Sequence, residues 1–210
     1  MRPELSYQLA WLGRKAVAAG LVVGSGGNLS ARLAGEAACL VTGAGCWLDE
    51  LTPADLSVVR IADGARLGGH PTPSSELTLH LAAYRARADV NAVVHLHPQL
   101  CVLLDALGQP VRLPSLDHQY YVGRVGSTPY LPSGSTELAM AVAVLLREGT
   151  NCVILGRHGV AVVADSVELA AKRALNLEEA ARATYRLLVL EGLGYPSRPH
   201  PGTPMASEGG

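Results

Sequence analysis

The 210-residue chain contains no phenylalanine, and aromatic residues make up only 4% of it. Its interior must therefore be aliphatic. With 49% of residues hydrophobic, Ala, Val and Leu supply enough apolar mass for one sizeable core. Charge of either sign is scarce in excess: the formal net charge is -1 and no basic cluster occurs, which excludes the electrostatic footprint of a nucleic-acid binder. A small anionic substrate, which needs only local donors, stays allowed. The four cysteines, Cys39, Cys46, Cys101 and Cys152, show no C-x-x-C spacing and read as reduced, buried thiols rather than a disulfide framework. No apolar run is long enough to span a bilayer. The start of the chain lacks a basic segment followed by a continuous apolar stretch, so no signal peptide is expected. No internal repeat is present. These absences predict a cytoplasmic protein without membrane or nucleic-acid partners, built as one domain over residues 1–192. Residues 193–210, rich in Pro, Ser and Gly, are expected to be a disordered tail.

Periodicity places the elements. Leu5, Leu9, Leu12, Ala16 and Ala19 mark a helix over about residues 3–19, stopped by Gly20. A glycine-rich stretch, Gly24 to Arg32, is read as loop. Residues 38–42 read as a strand broken by a second glycine turn, Gly43-Ala44-Gly45, and 56–61 as another strand. Residues 63–73 read as loop until a helix with Thr72 as N-cap, Pro73 as first residue and Glu76 in its first turn. Val93 to His97 is an apolar strand. Helices follow over 99–107 and 135–147, separated by a polar connection from Ser115 to Pro132. Strands at 151–155 and 159–164 precede a last helix from Ser166, whose apolar row is Ala170, Ala174, Leu177, Ala181, Tyr185 and Leu188.

Chemistry concentrates between Pro73 and Pro98. In a strand, residues i and i+2 leave the same face, so His95 and His97 point the same way, and Pro98 biases His97 toward extended geometry. Two imidazoles aimed at one point are half of a zinc site, and His158, beside the apolar run 152–155, is a candidate third ligand. Taken alone, the pair also fits two partly buried, hydrogen-bonding histidines, and Glu76 also fits an ordinary helix start. The Gly24–Arg32 loop can turn its backbone N–H groups to an anion, and equally can be a hairpin turn. It is neither a P-loop nor a dinucleotide fingerprint. His80, one helical turn from Glu76, reads as a packed, hydrogen-bonded helix histidine; the alternative is that it tunes the carboxylate. His70 and His200 carry no assignment.

Four motifs in this order, Gly-Gly-Asn-Leu-Ser-x-Arg (26–32), Pro-Ser-Ser-Glu (73–76), His-x-His-Pro (95–98) and His-Gly (158–159), closely resemble the class II aldolase/adducin family over about residues 4–190. The resemblance implies an α/β fold: a three-layer α/β/α domain around a central, largely antiparallel sheet, assembled as a homotetramer with its active site between neighbouring subunits. It implies that His95, His97 and His158 hold one zinc ion, or another divalent metal, per chain. Gly27, Asn28, Gly45, Ser74 and Ser75 fall at the substrate-phosphate cradle, and Glu76 at the catalytic acid/base. The implied reaction is cleavage of a ketose 1-phosphate of the L-fuculose 1-phosphate kind, through an enediolate, to dihydroxyacetone phosphate and an aldehyde. Relatives with the same metal site run 4-epimerase, dehydratase or decarboxylase chemistry, and the adducins run none.

This sequence departs from the family pattern at three places. Ala44 stands where the second glycine turn usually carries Thr or Ser, so one phosphate hydroxyl is missing. The segment that supplies the family's second acid/base from a neighbouring subunit here holds His118, Tyr120 and Tyr121, with Asp117 matching the epimerase's aspartate; Tyr120 and His118 are the candidate donors to the aldehyde oxygen. The aldolase's C-terminal tyrosine has only Tyr195 as a candidate counterpart.

Overall fold

The computed structural model describes residues 3–197. In chain order these form α1 (Pro3–Ala18), β1 (Asn28–Arg32), β2 (Ala38–Thr42), β3 (Leu56–Arg60), β4 (Arg66–Gly69), α2 (Leu77–Ala86), β5 (Ala92–Leu96), α3 (Gln99–Ala106), α4 (Leu116–Tyr121), β6 (Val125–Thr128), α5 (Thr136–Arg147), β7 (Cys152–Leu155), β8 (Gly159–Ala164) and α6 (Val167–Gly192). The strands make one eight-stranded sheet in the order β4-β3-β2-β1-β5-β8-β7-β6. Every pairing is antiparallel except β6 with β7, which α5 connects by a crossover, as a parallel pair requires.

Alternation along the strands divides the aliphatic core in two. Leu29, Ala31, Leu40, Val94, Leu96, Val160 and Val162 pack under α1, α3 and α6. Cys39, Val41, Val93, Val153, Ala161 and Val163 pack under α2 and α5. The result is a three-layer α/β/α domain around a largely antiparallel sheet. Among the described residues no helix is long and apolar enough to cross a membrane.

Several boundaries differ from the sequence expectation. The glycine-rich stretch is not all loop: β1 begins at Asn28 inside it. Residues 63–73 contain β4, and the 115–132 connection contains α4 and β6. The helix expected at Pro73 begins at Leu77. Pro73 is instead bridged to Gly43, and the Ser74 N–H donates to the Thr42 carbonyl at 3.0 Å. These backbone groups prolong the sheet, so Thr72 caps nothing. In α6, Tyr185 is exposed and Thr184 takes the buried position, its hydroxyl accepting from the Arg112 N–H at 2.8 Å. The final turns run past the sheet and leave Val189 and Leu190 exposed. The expectation of a disordered tail falls, from residue 198 onward, outside the described residues, as does His200.

Candidate metal centre and active site

The site lies at the ends of the central strands. His95 is the fourth residue of β5 and faces the α2/α5 layer, opposite Asn28 of the neighbouring β1. His97 follows the strand, its N–H bonded to the Leu21 carbonyl at 3.0 Å. His158 comes from the turn between β7 and β8. The next residue must be glycine: a Cβ on Gly159 would lie 2.3 Å from the Leu96 carbonyl oxygen and 2.7 Å from the His97 ring. Gly27, with φ +75°, likewise lies under the His95 carbonyl, where a Cβ would come within 2.7 Å.

The three rings converge, with centroids 4.8 Å (His95–His97), 4.7 Å (His95–His158) and 5.2 Å (His97–His158) apart. Glu76 completes the group: one ligand atom from each of the four residues lies within 4.8 Å of the others. Glu76 Oε2 sits 2.9 Å from His95 Nε2 and Oε1 sits 3.5 Å from His158 Nε2. The carboxylate also accepts from Asn28 Nδ2 at 3.0 Å, on Oε2, and from Ser133 Oγ at 2.8 Å, on Oε1.

These contacts fix the electrostatics. Burial alone would raise the Glu76 pKa, but the hydrogen bond and charge of His95, with the bonds from Asn28 and Ser133, outweigh it and hold the carboxyl well below the usual range. Burial lowers His97 to about 4, helped by His95 and His158, and lowers His158 in the same sense. Both imidazoles are therefore neutral near pH 7, the form that binds a metal.

A cation fits this donor set. His95 Nδ1 donates to the Val160 carbonyl at 3.0 Å, so Nε2 is the ring nitrogen turned to the site. It faces a carboxylate oxygen at 2.9 Å and the His97 Nε2 at 2.9 Å. Electron-rich atoms this close repel unless a positive charge, a proton or a metal ion in its place, sits among them, and the carbonyl behind His95 is the usual outer support of a metal-bound imidazole.

A cavity of about 230 Å³ opens beside the cluster, lined by the two glycine turns, Ser74, Ser75, Ser133 and Ala44. By volume it holds roughly eight waters. Among the described residues no Lys or Arg lines it, so within that lining an anion is met by neutral donors. The backbone N–H groups of Gly27, Gly45 and Ser75 have no protein acceptor among the described hydrogen bonds, whereas that of Ala44 donates to Thr72. The Thr42 hydroxyl is buried and accepts from the Leu29 N–H. Larger hollows of about 560 and 590 Å³ lie around Trp11 on α1, with none of the histidines near them.

Not every candidate residue gathers here. The Asn28 side chain is engaged by Glu76 and by His80 Nε2, so it faces the carboxylate rather than the turn where a phosphate is expected. His118 and Tyr120 lie on α4, outside the cavity lining; His118 is buried and Tyr120 is 80% exposed, packed edge-on against Tyr121. Tyr195 is exposed beyond the end of α6. Conversely, Ser133 escaped the sequence reading, because Pro132-Ser133-Gly134 is indistinguishable from an ordinary turn. The bonds of His80 are those of a packed, fully buried histidine, and they lead to Glu76.

An α/β/α sheet carrying three imidazoles and a carboxylate beside a cavity lined with neutral hydrogen-bond donors is the frame of a metal-dependent lyase. Residues 7–185 match the class II aldolase and adducin N-terminal domain, and the chain belongs to this family. It is 32% identical over 173 residues to an L-fuculose phosphate aldolase of Methanococcus maripaludis, covering 82% of this chain and 90% of that protein. It is also 35% identical over 189 residues to a 3-oxo-tetronate 4-phosphate decarboxylase of Haemophilus influenzae, covering 88% and 87%. Among solved structures, an L-fuculose-1-phosphate aldolase from Thermus thermophilus superposes with a TM-score of 0.81 at 29% identity, over 94% of this chain and 100% of the other.

Proposed function

We propose that this protein is a zinc-dependent class II aldolase that cleaves a ketose 1-phosphate, of the L-fuculose 1-phosphate kind, to dihydroxyacetone phosphate and an aldehyde. The observation that carries the reading is Glu76: an ionised carboxylate held by Asn28 and Ser133 against three convergent imidazoles, at the wall of a small cavity with free backbone donors. Three imidazoles are the donor set of a catalytic zinc site. Bound by His95, His97 and His158, the metal supplies Lewis-acid polarisation of the substrate carbonyl.

The chain's own groups do the rest. Gly27, Gly45, Ser74 and Ser75 bind the phosphate through N–H and O–H groups. In the condensation direction Glu76 removes a proton beside the ketone of dihydroxyacetone phosphate, and Tyr120 or His118 protonates the aldehyde oxygen; cleavage reverses both transfers. Tyr120 is exposed and away from Glu76 within one chain, so in this reading it reaches the site from the neighbouring copy of a homotetramer. The four cysteines are unpaired, which supports a cytoplasmic location.

A second reading is favoured by the 35% identity to the decarboxylase. Loss of carbon dioxide from a 3-oxo acid and cleavage of a ketose phosphate both leave an electron pair beside a carbonyl, so one site serves either.

The test is metal analysis of the purified protein, followed on the same sample by proton exchange into dihydroxyacetone phosphate in heavy water. The expected result is about one zinc per chain, with exchange that Glu76→Gln slows by about 10²–10⁴. Exchange unaffected by Glu76→Gln rejects the assignment; metal without any exchange shifts the reading to the decarboxylase.

A further inference from the structure

The face that β1 turns toward α2 is polar at alternate positions: Asn28, Ser30 and Arg32. Facing it are polar side chains four residues apart, Glu76 at the start of α2, then His80 and Tyr84. Two strand residues rise about 6.6 Å and four helix residues about 6 Å, so the two rows stay in step. They close into one seam through an otherwise aliphatic layer. The Tyr84 hydroxyl is 2.7 Å from Ser30 Oγ, which is 2.7 Å from His80 Nδ1. His80 Nε2 is 2.5 Å from Asn28 Oδ1, and Asn28 Nδ2 is 3.0 Å from Glu76 Oε2. None of these five side chains is more than 6% exposed.

The seam has one consistent arrangement of hydrogens. Ionised Glu76 is only an acceptor, so the Asn28 amide must turn its NH2 group to it and its oxygen to His80. Nε2 of His80 must then carry the hydrogen. The ring is neutral, since burial, followed by the charge of His95, brings it down to about 3, so Nδ1 is bare and accepts a hydrogen bond from the Ser30 hydroxyl. Ser30 in turn accepts from the Tyr84 phenol, which burial keeps protonated. The chain ends at Tyr84 in the interior and at the carboxylate in the cavity.

We propose that His80, backed by Ser30 and Tyr84, is a positioning residue for the acid–base step: it locks the Asn28 amide with its NH2 group toward Glu76. The inference rests on Glu76 being the acid–base group. A flipped amide would set its carbonyl against the carboxylate, replacing an attraction by a repulsion and moving the carboxylate from its place beside the imidazoles.

The test compares His80→Leu with His80→Gln, whose side-chain nitrogen can still donate to Asn28. Metal content and thermal midpoint are measured beside kcat and KM for dihydroxyacetone phosphate exchange. With the metal retained, kcat falls about 10- to 100-fold in His80→Leu, KM moves little, and His80→Gln recovers most of the rate. Equal losses in both variants, or an unchanged kcat in His80→Leu, overturn the proposal. If the unaltered protein catalyses no exchange, or the variants do not fold, ring NMR of isotope-labelled histidine in the full-length protein decides. A His80 hydrogen on Nε2 throughout about pH 8 to pH 5 supports the seam; a hydrogen on Nδ1, or protonation in that range, overturns it.

Discussion

Arg157 donates its backbone N–H to the Asp105 carboxylate at 2.7 Å from a left-handed conformation, φ +54°, one residue before His158. A non-glycine residue there costs about 1 kcal/mol, and the bond from α3 compensates. Asp105→Ala is expected to cost about 1 kcal/mol of stability and to weaken metal retention, while Asp105→Asn keeps an acceptor and most of both. Denaturant midpoints and a competitive metal titration measure the two effects; full metal affinity in the alanine variant would show that the turn holds itself.

Ser133 is the one donor to Glu76 that comes from the loop before α5. A hydrogen bond to a charged group contributes about 1.5–3 kcal/mol, less where solvent reaches it. Ser133→Ala should slow turnover roughly tenfold. Because this bond helps depress the carboxyl, its loss lets the pKa rise, and the acid limb of the pH–rate profile moves to higher pH. A limb that moves down, or stays, contradicts the role.

Ala44 borders the cavity, and its N–H is already bonded to Thr72. Ala44→Ser adds a hydroxyl donor without changing the turn. If a phosphate lies there, KM for the phosphorylated substrate drops about tenfold and kcat holds, the pattern of binding shared by ground and transition states. A KM that responds equally for an unphosphorylated ketose places the added hydroxyl elsewhere.

The convergence of the histidines was legible because its signal is local: the i, i+2 pair sits at the end of an aliphatic strand, and the His158-Gly159 step is required by the approach of Leu96. The polar seam was not, because Asn28, Ser30 and Arg32 give β1 a loop-like composition and their partners lie about fifty residues away on α2. Arg32, read only as part of a motif, ties the seam's far end by donating to the Tyr84 and Val90 carbonyls. The helix start at Pro73 failed for a related reason. Residues suited to an N-cap were taken up by the Gly43–Pro73 bridge, a contact no local pattern contains.

Glu178 of α6 accepts from the Leu100 and Cys101 N–H groups, each at 3.1 Å, and is 5% exposed. It satisfies the first turn of α3, which starts two residues after His97, so a stability element and a candidate metal ligand share one anchor. Glu178→Ala strands the buried Cys101 amide and the half-buried Leu100 amide and should cost about 2 kcal/mol; Glu178→Gln, with one acceptor left, should cost about half as much. A chemical-denaturation series at neutral pH tests the order, and an alanine variant as stable as the parent would show that water replaces the carboxylate.

Acid should unfold the metal-free protein through the same buried groups. His80 is lowered to about 3 and His97 to about 4, His158 moves the same way, and Glu76 lies below its ordinary range. Each depressed pKa means that the unfolded chain binds its proton first. The histidines' contribution is therefore complete above about pH 6.5 and is lost as pH falls toward the folded values, at roughly 1 kcal/mol per pH unit for each fully buried group. Glu76 adds to the loss below about pH 4.5. Denaturant midpoints measured from about pH 7.5 to pH 4.5 should fall steadily, and His80→Gln, which removes one buried titrating ring, should flatten the slope. Midpoints that rise on acidification would mean that these imidazoles are charged in the folded protein, and the neutral donor set on which both the metal centre and the seam depend would be lost with them.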